Sequence, residues 1–410
     1  MVASAAEAGL HNAPARRNAY VLAVAQAIVG SASPISIATG GLAGFWLLGG
    51  AKSLATLPVT SFNIGVALGA LPAAALMRHL GRRLGLSCGT VITGLGGLAA
   101  AAALFASSFA AFALALLLVG MGAAFVQQYR FAALDGVAPA LRARAVSIVL
   151  TGGLFSAVIG PQLVRFTRDA FPTTPFAGPF IGIVVLAVLG TLVLSLLRLP
   201  PRVDTDHEAD NGPARPLPEI LRQPKFLTGL LCGVVSYAIM SFVMTGAPLA
   251  IVGCGLPEDV GFLGIQWHVL AMFAPSFVTG RLIQRFGKHA IIGAGLALLL
   301  ASATVSLLGI EIWNFWVGLI LLGLGWNFGF IGSTALVAET YRPSERSKTQ
   351  GLHDFILFGS VALSSFLSGR VLDAAGWYWM NVAVFPIVGL CLLVLLGQSV
   401  FASRRRRLAT

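Results

Sequence analysis

Twelve tracts of this chain are continuously apolar over the length a bilayer demands, and short polar loops separate them. A helix needs about 20 mostly apolar residues to cross the hydrocarbon core, because backbone groups in lipid must bond within their own segment. The tracts run Tyr20–Leu48, Ser53–Met77, Leu84–Phe105, Phe109–Ala133, Ala145–Phe166 and Gly178–Leu199, then Phe226–Val252, Val260–Leu282, Ala290–Leu308, Ile312–Ala338, Gly351–Leu372 and Tyr378–Phe401. They are continuous rather than alternating, which excludes a membrane β-barrel. Only 10% of the 410 residues are charged and 57% are hydrophobic, whereas about a quarter of a soluble domain is charged. A soluble enzyme, a disordered chain and a nucleic-acid binder are therefore excluded.

The first tract follows Arg16 and Arg17. It is too long for the core of a cleaved signal peptide, so it is expected to stay in the mature chain, and neither end reads as a lipidation site. Cys88, Cys232, Cys254 and Cys391 are scattered without metal or disulfide spacing and read as packing residues. No metal or cofactor is expected.

The formal net charge of +12 has an uneven distribution. With the N-terminus inside the cell, 22 of the 27 Lys and Arg residues fall in the tails and even-numbered loops, while the opposite side keeps Lys52, Arg165, Arg168 and Arg370. Against nine acidic residues the inner segments carry a net +13 and the outer loops −1. That bias sets orientation in membrane proteins. A multi-pass protein of the bacterial inner membrane, with both termini cytoplasmic, is expected.

The longest polar stretch follows the sixth tract and divides the chain. The expected organisation is a cytoplasmic tail (1–19), an N-terminal six-helix bundle (20–199), a cytoplasmic linker (200–225), a C-terminal six-helix bundle (226–401) and a basic tail (402–410). The two bundles repeat. Met77 to Arg83 (MRHLGRR) matches Ile283 to His289 (IQRFGKH) at an offset of 206, and Gly120 to Phe125 (GMGAAF) matches Gly323 to Phe328 (GLGWNF) at 203. Pro139, Arg142 and Arg144 match Pro343, Arg346 and Lys348 at 204.

Parallel six-helix repeats with these loops resemble the major facilitator superfamily of secondary transporters over nearly the whole chain. The resemblance implies an all-α membrane fold of twelve transmembrane helices, alternating access, and gating by the loops after spans 2 and 8. Gly81, Arg82 and Arg83 fit the first loop motif, but Ala74 replaces its first Gly, and Arg78 and His79 stand at its Asp-Arg pair. The second copy has Gly280, Arg285, Gly287 and Lys288, with Gln284 at the Asp position. Arg142, Arg346 and the loop residues are thus gating candidates. A positive Arg78 calls for a carboxylate, and Asp354 or Glu345 near the start of span 11 is expected to answer it; a plain positive-inside role is the alternative.

Ionisable and amide groups inside a bilayer are costly, and each is a candidate for function. Span 4 carries Gln127, Tyr129 and Arg130, span 1 Gln26, span 2 Asn63, span 7 Tyr237, span 8 Trp267, and span 10 Trp326 and Asn327. These aromatic and amide groups suit a flat, hydrogen-bonding solute; ordinary interhelical contacts are the competing reading. His268 near the middle of span 8, with His353 and Asp354 at the start of span 11, are the candidates for carrying a coupling proton.

Two signatures of drug antiport are incomplete. Leu116 stands where the first needs Arg, and Leu163 and Val164 follow Gly160 and Pro161 where the second needs glycines. Gln127 with its neighbours (FVQQYRFAALD), the segment from Ile265 (IQWHVLAMFAPSF) and that from Gln350 (QGLHDFILFGSVALSSF) resemble a proteobacterial branch of the superfamily associated with riboflavin-type uptake. The expected function is proton-coupled transport of a small organic solute by a monomer, uptake of a planar metabolite such as a flavin being favoured. Proton-driven efflux of drugs or metabolites is the alternative, and a non-transporting solute sensor is the alternative of another class. The lipid bilayer, protons and the solute are the expected partners, and no enzymatic pair is found.

Overall fold

Every apolar tract is helical, as its length and the absence of alternation require. The computed structural model describes residues 2–51, 53–134, 137, 142–198, 215–342 and 345–408, and among these the chain forms sixteen helices and no strand. Linker residues 200–214 and the side chains of Arg78, Arg142 and Arg346 lie outside the described set.

The chain divides into two units, Met1–Val203 and Asp204–Thr410. The first contains α1 (Val2–Val29), α2 (Ala32–Leu47), α3 (Leu57–His79), α4 (Gly81–Phe105), α5 (Phe109–Val126), α6 (Tyr129–Ala132), α7 (Arg142–Thr167) and α8 (Ala177–Ser195). The second contains α9 (Leu217–Leu221), α10 (Pro224–Gly253), α11 (Glu258–Phe273), α12 (Ser276–Phe286), α13 (Lys288–Leu307), α14 (Ile312–Val337), α15 (Arg346–Val382) and α16 (Val384–Leu408).

Among the described residues, ten helices are long and apolar enough to cross a bilayer. The pair α11 and α12, bent by 44° at a short break, brings the number to eleven when counted as one span, and Val384–Gln398 is a shorter apolar helix. The turn between the final two spans is local: Gly376, at φ 76° and ψ 178°, leaves the helical region inside α15. Only a residue without a Cβ adopts that backbone cheaply.

Corresponding helices pack alike in the two units. In the first, α5 lies against both α3 and α4, α1 against α7, and α4 against α8. In the second, α14 lies against both α11 and α13, α10 against α15, and α13 against α16. The repeat reaches single atoms. A Cβ on Gly120 would stand 2.0 Å from the Phe62 carbonyl oxygen, and one on Gly323 would stand 2.5 Å from the His268 carbonyl oxygen. Both distances are far inside van der Waals contact, so glycine is what lets the helix backbones touch. The offsets from Gly120 to Gly323 and from Phe62 to His268 are the 203 and 206 found in the loop and helix motifs. Gly81 (φ 77°) and Gly287 (φ 84°) likewise make the same left-handed turn after α3 and after α12.

The units differ in where their spans break. Span 4 is interrupted at Gln127 and Gln128, between α5 and α6, whereas its counterpart α14 is unbroken. Pro275 lies in the break between α11 and α12, where a missing N–H weakens the ladder. Pro72, Pro161 and Pro248 instead sit within continuous helices. Cys232 and Cys391 are buried neighbours on α10 and α16, with sulfurs 3.5 Å apart, and remain free thiols.

Candidate functional site

The second unit gathers an aromatic group. Trp326 and Phe330 are four residues apart on α14, so they share a face, and their rings stack at 5.1 Å. Tyr237 on α10 meets both edge-on, at 5.3 Å and 5.2 Å, and Phe358 on α15 at 6.0 Å. Phe273, the last residue of α11, closes on Trp326 at 6.4 Å. Four helices thus converge on one apolar surface, and edge-to-face pairs of this kind add about 0.5–1.5 kcal/mol each beyond burial. The Trp326 indole N–H has no hydrogen-bond partner although the residue is only 7% exposed. Tyr237 and Trp326 were legible as single polar aromatics; Phe330 and Phe358 join them only through the helix packing, with the four-residue spacing of Trp326 and Phe330 as the sole sequence cue.

Asn327, the neighbour of Trp326, has a different engagement. Its Nδ2 donates to the Met272 carbonyl at 2.6 Å and to Ser276 Oγ at 2.8 Å, while Thr279 Oγ1 donates to its Oδ1 at 2.6 Å. The amide therefore clamps both sides of the break between α11 and α12, supplying bonds that the interrupted backbone ladder lacks.

His268 is fully buried in the α11–α14 contact. A carbonyl only accepts, so the 2.8 Å contact with Leu319 O places the proton on Nδ1. Nε2 has no partner. Trp267, one residue earlier, points elsewhere and is 41% exposed. His353 and Asp354 do meet: Nδ1 lies 3.0 Å from Oδ1, with the carboxylate side chain 58% exposed and the imidazole 5%. His353 Nε2 is buried without a partner and lies beside Gly233 and near Ser333, at the join of α10, α14 and α15.

In the first unit the candidate residues are dispersed. Tyr129 is fully buried in an apolar cluster with Leu22, Met77, Leu86 and Val149, and its hydroxyl has no partner. Gln127 and Arg130 are exposed on either side of the break, the Arg130 guanidinium 4.9 Å from the Phe131 ring centre. Gln26 is half-buried on α1 and packs close to Gly152 of α7, and Asn63 is half-buried on α3. Tyr129, between them in sequence, is buried, whereas Gln127 and Arg130 both face outward.

Among the gating candidates, Arg82 is half-buried and Arg83 and Arg285 are exposed, the latter's guanidinium 5.2 Å from the Phe286 ring. Lys288 pairs with Glu339, which also binds Lys225. Glu345, one of the two carboxylates expected to answer Arg78, is taken by Arg215. Its Oε1 accepts from the Arg215 backbone N–H at 2.8 Å and from Nε at 2.9 Å, and its Oε2 lies 2.8 Å from the other guanidinium donor. The Arg342 backbone N–H adds a fourth bond at 2.9 Å. Hydrogen bonding by Arg215 holds the Glu345 carboxyl well below the usual carboxylate range against the opposing effect of burial, and the same bonds raise Arg215 above its ordinary value. No sequence cue pointed to this pair.

The sequence model of the Major Facilitator Superfamily matches residues 18–274 and 265–409. Riboflavin transporter RfnT of Brucella anthropi is 51% identical over 382 residues, spanning 93% of this chain and 96% of that protein. The uncharacterized MFS-type transporter YdeG of Bacillus subtilis is 32% identical over 406 residues, 95% of this chain and 93% of its own. A crystal structure of the nucleoside transporter NupG superposes with a TM-score of 0.72 at 12% identity, covering 93% of this chain and 98% of that one, which speaks for the fold. Repeated helical units, matching glycine contacts and these likenesses lead to one assignment: the chain belongs to the major facilitator superfamily of membrane transporters.

Proposed function

We propose that this secondary transporter takes up a flavin or a close planar analogue across the bacterial inner membrane, driven by protons, as a monomer with both termini in the cytoplasm. The observation that carries the reading is the 51% identity with a riboflavin transporter along 93% of the chain. The aromatic group of Tyr237, Trp326, Phe330, Phe358 and Phe273 supports it, since a flat conjugated ring is held best by aromatic faces. The unpartnered Trp326 N–H offers a donor to a ring carbonyl. In the first unit Gln26, Asn63, Gln127 and Arg130 are the proposed polar contacts. His268 and the His353–Asp354 pair are the proposed proton carriers, each combining a fixed Nδ1 with a buried, unpartnered Nε2. For Arg78, pairing with Asp354 or Glu345 stays the proposal.

Purified protein in liposomes with an imposed proton gradient tests the reading. Riboflavin is expected to accumulate inside when the gradient runs inward and to stop accumulating when a protonophore collapses it. Absence of riboflavin flux in well-folded protein overturns the substrate; flux indifferent to the gradient overturns the coupling; gradient-driven extrusion reverses the direction.

A further inference from the structure

The Arg215–Glu345 pair does more than close a loop. Glu345 is the residue before α15, and Thr349 Oγ1 in the first turn donates back to its carbonyl at 2.9 Å. Arg215 also donates to the Thr340 carbonyl at 3.0 Å, Gln223 Nε2 reaches the same oxygen at 3.0 Å, and Lys348 Nζ binds the Arg215 carbonyl. Below them Ile220 of α9 is buried with Phe226 and Val337. Residues 215–226 therefore form a strap that ends the inter-repeat stretch and ties it to the start of α15. That helix carries His353 and Asp354 in its third turn and Phe358 about one turn further on, against Tyr237.

We infer that Arg215 and Glu345 are positioning residues for transport. They set where α15 begins, and through it the register of His353 and Phe358 on α10. A buried carboxylate with four donors has one geometry, because turning away would leave a desolvated charge unpaired. In the Lys225–Glu339–Lys288 cluster, by contrast, Lys225 and Glu339 are exposed and Lys288 half-buried, and such solvent-reached pairs hold little. The inference rests on the transport reading but not on the identity of the solute.

The test is a double-mutant cycle in the full-length protein, reconstituted in liposomes, with riboflavin flux and hydrogen–deuterium exchange as readouts. Arg215→Ala and Glu345→Ala are each expected to lower the saturating rate about fivefold, and the double variant to be no worse than the poorer single. Arg215→Lys, whose ammonium still reaches the carboxylate, is expected to recover about half of the loss. Exchange should rise in residues 346–358 of both alanine variants. If Glu345→Ala does not fold, Glu345→Gln carries the same expectations. Full flux in a folded Glu345 variant, losses that multiply in the double variant, or unchanged exchange in α15 would each overturn the inference. If the wild type carries no riboflavin, the substrate reading fails alone, and the exchange arm still decides the positioning role.

Discussion

The Nδ1–H of His268 donates to the Leu319 carbonyl oxygen at 2.8 Å, which fixes the imidazole's tautomer and leaves Nε2 as the one ring atom able to take a further proton. His268 stands where the first unit has Phe62, each with its carbonyl oxygen against a glycine of the neighbouring helix. The position thus accepts an aromatic ring in one repeat and an ionisable one in the other.

His268→Phe is expected to fold, because the equivalent site already holds a phenyl ring. Gradient-driven riboflavin accumulation should fall to the level of liposomes without a gradient, while solute counterflow, which needs no net proton movement, stays within about twofold of wild type. Gradient-driven accumulation at the wild-type level would remove His268 from the coupling proposal.

Removal of the aromatic wall is expected to act on affinity. Tyr237→Leu and Trp326→Leu each take away two or more ring contacts. At about 0.5–1.5 kcal/mol per aromatic contact, KM for riboflavin should rise about 2- to 12-fold, and Tyr237→Phe should stay near wild type. Initial-rate measurements across a riboflavin concentration series check this, and unchanged KM in both leucine variants would place the solute elsewhere.

Glycine at the α11–α14 contact is expected to be irreplaceable. Gly323→Ala puts a methyl 2.5 Å from the His268 carbonyl oxygen and 3.0 Å from the Ala271 Cβ, so the helices must part. Overpacking of this kind costs about 1–3 kcal/mol, read as a lower unfolding midpoint in detergent. Gly359, which has open space around its Cβ position, is the control: Gly359→Ala should leave the midpoint unchanged or raised.

The Arg215–Glu345 pair has a defined dependence on acid. The Glu345 pKa is depressed in the folded protein, so its contribution is complete above the unfolded carboxylate value of about 4.3 and is lost as pH falls toward the folded value. The gap in melting temperature between wild type and Glu345→Gln should therefore be constant from about pH 5.5 to 8 and narrow below about pH 4. A gap that widens on acidification would contradict this sign.

Much of the site's chemistry was visible residue by residue but not as a constellation. Trp326 and Asn327 are adjacent in sequence, yet the first joins an aromatic group and the second clamps a broken helix. No periodicity separates those roles, because each depends on what a neighbouring helix presents. His353 and Asp354 were readable as a pair because they are consecutive. Tyr129 and Gln127 were not separable, since neither a proline nor a glycine marks the interruption at Gln127 and Gln128.

By itself the sequence determined the membrane-spanning class, the internal repeat and the family, because lipid enforces continuous apolar helices and a duplicated bundle keeps its spacing. Tertiary structure alone decided which partners the polar groups take. Arg215 and Glu345 are 130 residues apart, and their pairing follows from the need of a buried carboxylate for donors that only the folded strap brings within 3 Å.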